Sequence, residues 1–296
     1  MFMHEVKMNH LCALSDYNFL PKGLALYESL LKKSEDFVLH YLCFDEDAYD
    51  KLSRHESDTL KVYFDEFEDP DLEKLKAEDR KYYSYALASY FSHYLMEKND
   101  TPITYIDSDI YFHQSINGLL DEIGPRDIGL FRHRQYRPDV PNGNGWFNVG
   151  VVHFKNTEIG QRYLGWWYDA VLHRKHPELA TCGDQKYLDV FSTLPESVLF
   201  IDGNIGHGAP WQWYLYYFDT YAEDGCITFH GQKQKLVFSH FSQFVYSVEE
   251  NSYNPSTMHH CFTPEDLYRS DAGLKKIYDD YFEEIKHIHK KYNFEG

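Results

Sequence analysis

Two aspartates follow a short apolar run in the segment ITYIDSDIYF, which covers residues 103–112. Asp107 and Asp109 are separated by one serine and are followed by further bulky residues. Burial of carboxylates without partners is expensive, so something should compensate these two charges. A divalent cation would do so. Because carboxylate oxygens suit Mg²⁺ or Mn²⁺, with substrate phosphates completing the coordination shell, the pair predicts a metal site.

The elements before this segment predict the sheet that positions it. Apolar residues at helical spacing predict helices in PKGLALYESLLKKS and DRKYYSYALASYFSHYLMEK. Strand-like segments alternate with helices up to residue 112, which is the pattern of a mostly parallel sheet covered by helices. PITYIDSDIYF is interpreted as one strand, in which Asp107 and Asp109 point the same way while Ser108 points the other way. Ligands of such sheets bind at the carboxyl ends of the strands.

The pattern changes after residue 124. Strands are predicted in DIGLFRHR, at 147–154, in SVLFIDG and in KLVFSHFSQF, with a helix in TEIGQRYLGWWYDAVLHRK. CGDQKYLDVF is typical of a helix start, and GNIGHGAPWQWYL of a loop. The residues from about Asn251 onward are charged and predicted to be helical. We therefore expect an α/β domain over residues 1–250 with a helical extension, 251–296, packed on it.

Composition excludes several classes of protein. The 29 Lys and Arg against 47 Asp and Glu give a formal net charge of −18, which disfavours nucleic acid and anionic lipid as partners. No run approaches the ~20 apolar residues of a membrane span, and MFMHEVKMNH is not typical of a signal peptide, although peripheral membrane association stays possible. Five dispersed cysteines without a CxxC spacing indicate reduced thiols and a cytoplasmic protein.

Spacing alone is a weak signal for the metal. Asp45 and Asp47, and Asp69 and Asp71, show the same Asp-x-Asp spacing, but they lie among other charged residues. Those triplets are interpreted as solvated faces or helix starts. Only the pair at 107 and 109 ends a hydrophobic strand, and that context favours metal binding.

Five segments in order carry a resemblance to a known family. Beside the Asp-x-Asp pair they are Leu11 to Asp45, FNVGVVHFKN at 147–156, GDQKYLD at 183–189, and APWQW at 209–213 with LVFSHFSQF at 236–244. Together, over about residues 8–245, the chain resembles GT-A nucleotide-diphospho-sugar glycosyltransferases, of the bacterial surface-glycan, glycogenin-like and lipopolysaccharide galactosyltransferase-like kinds. The resemblance implies the GT-A fold and a UDP- or GDP-sugar donor.

The resemblance also implies roles for individual residues. Asp107 and Asp109 would hold Mn²⁺ or Mg²⁺, with His240 as the third ligand and His207 as a rival for that position. Asp184 and Gln185 would line the reacting sugar as catalytic residues. The residues implied in binding the nucleotide, the sugar or the acceptor are Leu14, Ser15, Tyr17, Asp107, Ser108, Asn148 and Gly150. Asp184 could instead be a helix N-cap, and Gly150 a site of close backbone packing.

The chain also departs from the family pattern. Related enzymes often carry a lysine in the helix before the aspartate pair, whereas YALASYFSHYL has Ser89 there and no lysine. The leaving diphosphate would then depend on the metal and on other basic residues, for which the candidates are Arg80, Lys81, Arg132 and Arg134. The GHGAPWQW loop lacks the longer His-x-x-Gly-x-x-Lys-Pro-Trp form of the glycogenin-like group.

The resulting hypothesis is a metal-dependent hexosyltransferase that acts on a glycan or other hydroxyl acceptor in surface polysaccharide biosynthesis. An inverting reaction needs a carboxylate base, for which Asp184 is the candidate, and a retaining reaction needs Gln185 or Asp184 on the opposite sugar face. The resemblance favours retention. The alternatives are a metal-dependent hydrolase and a non-catalytic carbohydrate-binding protein, the latter suggested by an aromatic content of 18%.

Overall fold

A computed structural model of the chain describes residues 8–134, 144–193, 198–201, 205–255 and 265–294. The proline- and asparagine-rich segment 137–143 and Cys261 lie outside the described residues. Cys12, Cys43, Cys182 and Cys226 are free thiols.

The described strands and helices follow one another in a mostly alternating order. The strands are β1 (Asn9–Ser15), β2 (Phe37–Cys43), β3 (Leu60–Phe64), β4 (Ile103–Ile106), β5 (Ile110–Phe112), β6 (Ile128–Arg132), β7 (Phe147–Phe154), β8 (Val198–Ile201), β9 (Gly206–Gly208), β10 (Tyr216–Tyr217), β11 (Cys226–Phe229), β12 (Gln232–His240), β13 (Val245–Ser247) and β14 (Ser252–Asn254). The helices are α1 (Leu20–Lys33), α2 (Glu46–Leu52), α3 (Pro70–Glu78), α4 (Arg80–Asn99), α5 (Ile116–Ile123), α6 (Glu158–Leu172), α7 (Tyr221–Asp224), α8 (Glu265–Ser270) and α9 (Ala272–Lys291). Short 3₁₀ segments occupy Ser53–His55, Ala180–Cys182, Gln185–Thr193 and Trp213–Leu215.

A seven-stranded sheet in the order β3-β2-β1-β4-β7-β6-β8 forms the centre of the molecule. Its pairings are parallel except for the two that β7 makes, with β4 and with β6, which are antiparallel. All seven residues of β2 are buried, as expected of a parallel strand covered on both faces. The α/β class with a mostly parallel sheet and flanking helices is therefore confirmed.

Two apolar clusters cover the two faces of this sheet. One contains the buried side of α1, strand β5 and most of the buried face of α9. The other contains α4, α6 and the 3₁₀ segment Gln185–Thr193, with Trp167 fully buried at its centre. The helices thus fix the sheet from both sides, and the carboxyl ends of β1, β2 and β4 open between them.

A second, smaller sheet corrects the prediction for PITYIDSDIYF. This segment is not one strand, because β4 belongs to the central sheet and β5 belongs to a sheet with the order β10-β11-β12-β5. The chain leaves one sheet and enters the other through Asp107, Ser108 and Asp109. The loop predicted in GNIGHGAPWQWYL likewise contains β9, which pairs with β12.

The carboxyl-terminal part begins with a hairpin, which corrects the prediction of helix from Asn251. Strands β13 and β14 pair in an antiparallel hairpin. The first described helix after this hairpin is α8, which starts at Glu265. Helix α9 packs on α1, where buried Glu28 accepts hydrogen bonds from the Tyr292 hydroxyl (2.5 Å) and the Lys291 ammonium (2.6 Å). We propose that residues 251–296 form an extension of the domain, anchored at this contact.

The two other Asp-x-Asp triplets lie at the starts of helices. The Asp45 carboxylate accepts the backbone N–H of Ala48 and caps α2. The Asp69 carboxylate accepts the N–H groups of Asp71 and Leu72 and caps α3. Both therefore satisfy free N–H groups in the first turn of a helix. None of the described helices is long and apolar enough to cross a membrane.

Replacing Tyr292 by Phe should destabilise the fold, because buried Glu28 then loses one of the two side-chain hydrogen bonds that it accepts within the described residues. A hydrogen bond to a charged group contributes about 1.5–3 kcal/mol, so we expect the free energy of unfolding to fall by about that amount. Urea denaturation measures it. Tyr217→Phe is the matched control, since Tyr217 is 67% exposed and should change stability by less than about 0.5 kcal/mol. An equal change in both variants would contradict the anchoring role of Tyr292.

Candidate functional site

A tight turn between the two sheets carries both aspartates. The N–H of Ile110 donates to the carbonyl of Asp107 at 3.0 Å and closes the turn. The N–H of Asp107 donates to the carbonyl of Gly150 in β7, and the N–H of Phe241 donates to the carbonyl of Asp109, both at 2.8 Å. The two carboxylates therefore converge because a turn directs them, and not because they alternate along one strand.

His240 joins the aspartates from the last position of β12. Antiparallel pairing sets His240 opposite Ile110, one residue after Asp109. His240 Nε2 lies 3.0 Å from Asp109 Oδ1 and 3.7 Å from Asp107 Oδ2. One ligand atom from each of the three residues lies within 4.8 Å of the others, which is the spacing of a metal site.

Burial and mutual charge shift the pKa values of this cluster. Burial raises the pKa of Asp107, and the nearby His240 opposes that shift only in part. Burial also acts to raise the pKa of Asp109, but the adjacent His240 outweighs it and that pKa is lowered. Burial acts to lower the pKa of His240, yet the Asp109 carboxylate overcomes it and the pKa is raised. The imidazole is thus coupled mainly to Asp109.

A hydrogen-bonded chain of amides orients the imidazole. Gln185 Nε2 donates to the backbone carbonyl of Asn144 (2.6 Å), so Gln185 Oε1 accepts from Asn148 Nδ2 (2.8 Å). Asn148 Oδ1 then accepts from the N–H of Gly150 (2.9 Å) and from His240 Nδ1 (3.2 Å). In the neutral ring, which keeps its proton on Nδ1, the lone pair of Nε2 faces the aspartates, as in a metal-binding histidine.

The donor set fits a divalent cation. Asp109 and His240 are 7% and 6% exposed, so their facing acceptor atoms are largely withdrawn from water. Two largely buried carboxylates need a positive charge beside them, which protonated His240 supplies without a metal and a divalent cation supplies when it binds to the neutral ring. The Tyr105 hydroxyl donates to Asp107 Oδ1 at 2.8 Å and holds the remaining carboxylate in place. Oxygen ligands with one imidazole suit Mn²⁺ well and Mg²⁺ less well.

His207, the rival third ligand, lies elsewhere. Its ring packs between Phe131 and Phe238, with ring centroids 4.9 Å and 5.4 Å away, and its Nδ1 lies 3.0 Å from the carbonyl of Ile205. It is buried in the second sheet and outside the Asp107, Asp109 and His240 cluster. Its position is that of a core histidine.

A cavity of about 610 Å³ opens above the cluster. One end is formed by the carboxyl ends of β1 and β2, and the other by residues from β7, the 3₁₀ segments and the loop after β9. The described residues that line it are Leu14, Ser15, Asp16, Phe19, Phe44, Ser84, Tyr85, Tyr105, Asp107, Ser108, Asp109, His133, Asn144, Asn148, Val149, Cys182, Gln185, Trp211, His240, Ser242 and Gln243. A cavity of this size can hold a nucleotide sugar.

Most residues implied in donor binding reach this cavity. Leu14, Ser15 and Ser108 lie together, since Ser108 Oγ donates to the carbonyl of Leu14 (2.7 Å) and the Tyr41 hydroxyl donates to Ser15 Oγ (2.8 Å). Tyr17 does not line the cavity; its N–H donates to Asp45 and its ring packs near Phe294.

Gly150 and Asp184 lie just behind the cavity wall. A Cβ at position 150 would meet Asn148 Oδ1 at 2.6 Å and His240 Nδ1 at 2.7 Å, so close packing requires glycine there. Asp184 is 4% exposed and does not line the cavity. Burial, with the nearby charge of Asp107, raises the pKa of Asp184 well above its ordinary value. Gln185, its neighbour in the chain, faces the cavity.

Sequence reasoning missed several residues of the cavity wall. Tyr105 precedes Asp107 by two positions, and its hydroxyl is the kind of donor that a buried carboxylate needs, so it could have been found. Trp211 was recognised only as part of a motif, yet its ring contacts both His133 and His240, at centroid distances of 4.8 Å and 5.2 Å. His133 also lines the cavity, and nothing in the sequence singles it out.

Comparison with known proteins finds relatives over most of the chain. No protein-family model matches it. It is similar to the uncharacterised protein YfnF of Bacillus subtilis strain 168, with 27% identity over 257 residues that cover 81% of this chain and 83% of YfnF. It is also similar to the uncharacterised protein YfnD of that strain, with 25% identity over 290 residues that cover 94% of this chain and 88% of YfnD.

Solved structures with a similar fold are glycosyltransferases. The galactosyltransferase LgtC, in complex with donor and acceptor sugar analogues, matches with a TM-score of 0.57 and 12% identity, over 94% of this chain and 95% of LgtC. Mouse xyloside xylosyltransferase 1 matches with a TM-score of 0.51 and 16% identity, over 79% of this chain and 97% of that protein. The chain has the GT-A fold of glycosyltransferases, as its sequence motifs predicted.

Replacing Gly150 by Ala should weaken metal binding, because the added methyl group displaces the His240 ring. Changes behind a metal ligand reduce affinity by about 10- to 100-fold, and we expect a loss of Mn²⁺ affinity in that range. Titration calorimetry with Mn²⁺ measures it. Gly118→Ala is the control, because a Cβ there meets nothing within 4 Å. Unchanged Mn²⁺ affinity in Gly150→Ala would show that His240 is not a ligand.

Proposed function

We propose that this protein is a metal-dependent glycosyltransferase, which moves a sugar from a nucleoside-diphosphate donor to a hydroxyl group of a glycan. The observation that carries the proposal is the Asp107, Asp109 and His240 cluster, set at the carboxyl end of the sheet and facing a cavity in a GT-A fold. Asp107, Asp109 and His240 would hold Mn²⁺ or Mg²⁺. When bound, the cation supplies Lewis-acid neutralisation of the charge on the leaving diphosphate.

The residues at the two ends of the cavity suit the two parts of the donor, its nucleoside and its sugar. Leu14, Ser15 and Phe44 lie at the carboxyl ends of parallel strands, where nucleotides bind in open α/β sheets. We place the nucleoside there. Asn148 and Gln185 lie at the opposite end and present amide groups suited to sugar hydroxyls, so we place the transferred sugar beside them.

Gln185 is proposed as the residue that faces the reacting carbon. A structure of LgtC with similar fold, at a TM-score of 0.57 and 11% identity, is that of an active-site mutant in which glutamine is replaced by glutamate. Asp184 is 4% exposed and does not line the cavity, so it is poorly placed to act as the carboxylate base of an inverting reaction. These features support retention, with Asp184 fixing the segment that presents Gln185.

The acceptor is proposed to be a glycan of a bacterial surface polysaccharide. The sequence segments APWQW and LVFSHFSQF, which resemble those of surface-glycan transferases, form part of the wall through Trp211 and His240. The aromatic ring of Trp211 beside the metal site suits a sugar ring nearby.

A thermal-shift screen tests donor binding. UDP, GDP, dTDP and CMP are each added with Mn²⁺ and with EDTA; a ligand at about 100 times its dissociation constant adds about 2.7 kcal/mol of stability. We expect one nucleoside diphosphate to raise the melting temperature only with Mn²⁺. Asp107→Asn and Asp109→Asn should abolish the shift, because they remove charged metal ligands.

Asp47→Asn is the matched control for this screen. Asp47 belongs to another Asp-x-Asp triplet, is exposed and should leave the shift unchanged. A metal-independent shift, or none with any nucleotide, would count against the proposal. A shift with free sugar alone would instead favour the carbohydrate-binding alternative.

Turnover of Gln185 and Asp184 variants tests the proposed reacting face. Gln185→Ala should lower the transfer rate by about 100-fold or more, in the range of a lost transition-state interaction, and leave nucleotide affinity at saturating Mn²⁺ within about threefold. Asp184→Asn should lower the rate less, since Asp184 does not line the cavity. A larger rate loss in Asp184→Asn than in Gln185→Ala would reverse the two roles and restore Asp184 as the catalytic residue.

A further inference from the structure

The cavity has a charge imbalance that the metal does not remove. Asp16, Asp107 and Asp109 line it, and no lysine or arginine does so among the described residues. A divalent cation bound to Asp107 and Asp109 is neutralised by those two carboxylates. The diphosphate becomes more negative as it leaves, so it needs a further positive charge nearby.

The basic residues suggested by the sequence do not supply this charge at the wall. Arg134 donates to the Tyr216 hydroxyl at 2.5 Å, and its guanidinium lies over the Phe229 ring, 4.4 Å from the centroid. It is therefore engaged in the second sheet. The remaining candidates do not line the cavity: Arg80, Lys81 and Arg132.

Lys22 is a cation that the sequence did not single out. It lies in the first turn of α1 and is 6% exposed, which is unusual for a lysine. Its Nζ lies 4.3 Å from the centroid of the Phe19 ring, and Phe19 lines the cavity. Its ammonium group makes no hydrogen bond or salt bridge within the described part of the chain. A lysine this little exposed, with no carboxylate within ion-pair distance of its ammonium in the described part of the chain, is costly and calls for a functional explanation.

The surroundings of Lys22 point toward the metal site. Asp109 is close enough for the two charges to act on each other, although burial has the larger effect and lowers the pKa of Lys22. Helix α1 directs its amino-terminal end to the same region, with no acidic residue in its first turn. Both the ammonium and the positive end of the helix dipole favour an anion at this position.

We propose that Lys22 supplies, from behind Phe19, the positive charge that holds the leaving diphosphate beside the metal. This inference rests on the proposed function and assigns one residue to it. Lys22 acts on the diphosphate through its electric field and not by direct contact, from a largely buried position where charges interact more strongly than in water, and is therefore a positioning residue.

A simpler role for Lys22 is to balance Asp109 when no metal is bound. The two roles predict opposite results. If Lys22 only balances Asp109, its removal strengthens metal binding and leaves diphosphate binding at saturating metal unchanged. If Lys22 serves the diphosphate, its removal weakens diphosphate binding even when the metal is saturating.

Calorimetric titration of Lys22→Met separates the two roles. Mn²⁺ is titrated alone, and then UDP, GDP and the corresponding nucleoside monophosphates are titrated at saturating Mn²⁺. Methionine keeps the length of the side chain and removes a buried charge, so the fold should be retained; Lys22→Gln provides a second neutral variant. Lys33→Met is the matched control, because Lys33 is exposed in the last turn of the same helix.

We expect Lys22→Met to weaken binding of the preferred nucleoside diphosphate by about tenfold or more, and the monophosphate by less, as for a lost charge-assisted contact. Lys22→Arg should restore most of the affinity, and Lys33→Met should not change it. Unchanged diphosphate affinity in both neutral variants would overturn the role of Lys22. Failure of the wild-type protein to bind UDP or GDP with Mn²⁺ would instead overturn the proposed function, and this inference with it.

Discussion

The antiparallel pairing of β5 with β12 is the constraint on which the site depends. It sets His240 opposite Ile110 and brings Nε2 to 3.0 Å from Asp109 Oδ1. The two aspartates alone would be a pair of partly buried carboxylates with raised electrostatic cost. With the imidazole added from a distant part of the chain, they become a closed set of ligand atoms. The small second sheet therefore has a definite role, which is to deliver one residue to the edge of the larger sheet.

The wall around the candidate metal site depends on a second constraint, which is close packing at Gly150. Glycine allows the His240 ring and the Asn148 amide to lie directly against the β7 backbone. The amide chain from Asn144 through Gln185 and Asn148 then fixes the tautomer of the imidazole, because backbone groups at its two ends set the direction of each amide. The same chain presents Gln185 to the cavity. The positions of the candidate metal ligands and of the proposed reacting face are thus coupled through neutral hydrogen bonds.

The long regular elements were predictable, whereas short ones were not. Helices α1, α4 and α6 and strands β1, β2 and β7 were expected from their apolar spacing, because each buries a continuous face against the sheet. Helices α3 and α5 and the hairpin of β13 and β14 were not predicted. Most residues of α3 are polar, and its two buried positions, Leu72 and Leu75, are too few to form a recognisable helical pattern. A hairpin of three-residue strands leaves almost no periodic pattern.

The sequence by itself determined the α/β class, the GT-A resemblance and the candidate metal ligands, because apolar periodicity and the position of charges within it are local properties. It favoured His240 as the third ligand but left His207 as a rival, since GHGAPW also places a histidine in a predicted loop before Pro-Trp. Only the tertiary structure placed His207 between Phe131 and Phe238 and His240 beside Asp109, because strand register decides which side chains meet. It also showed that a turn aligns the aspartates and that Lys22 lies behind the cavity wall. Contacts between distant segments depend on packing, which no single stretch of sequence records.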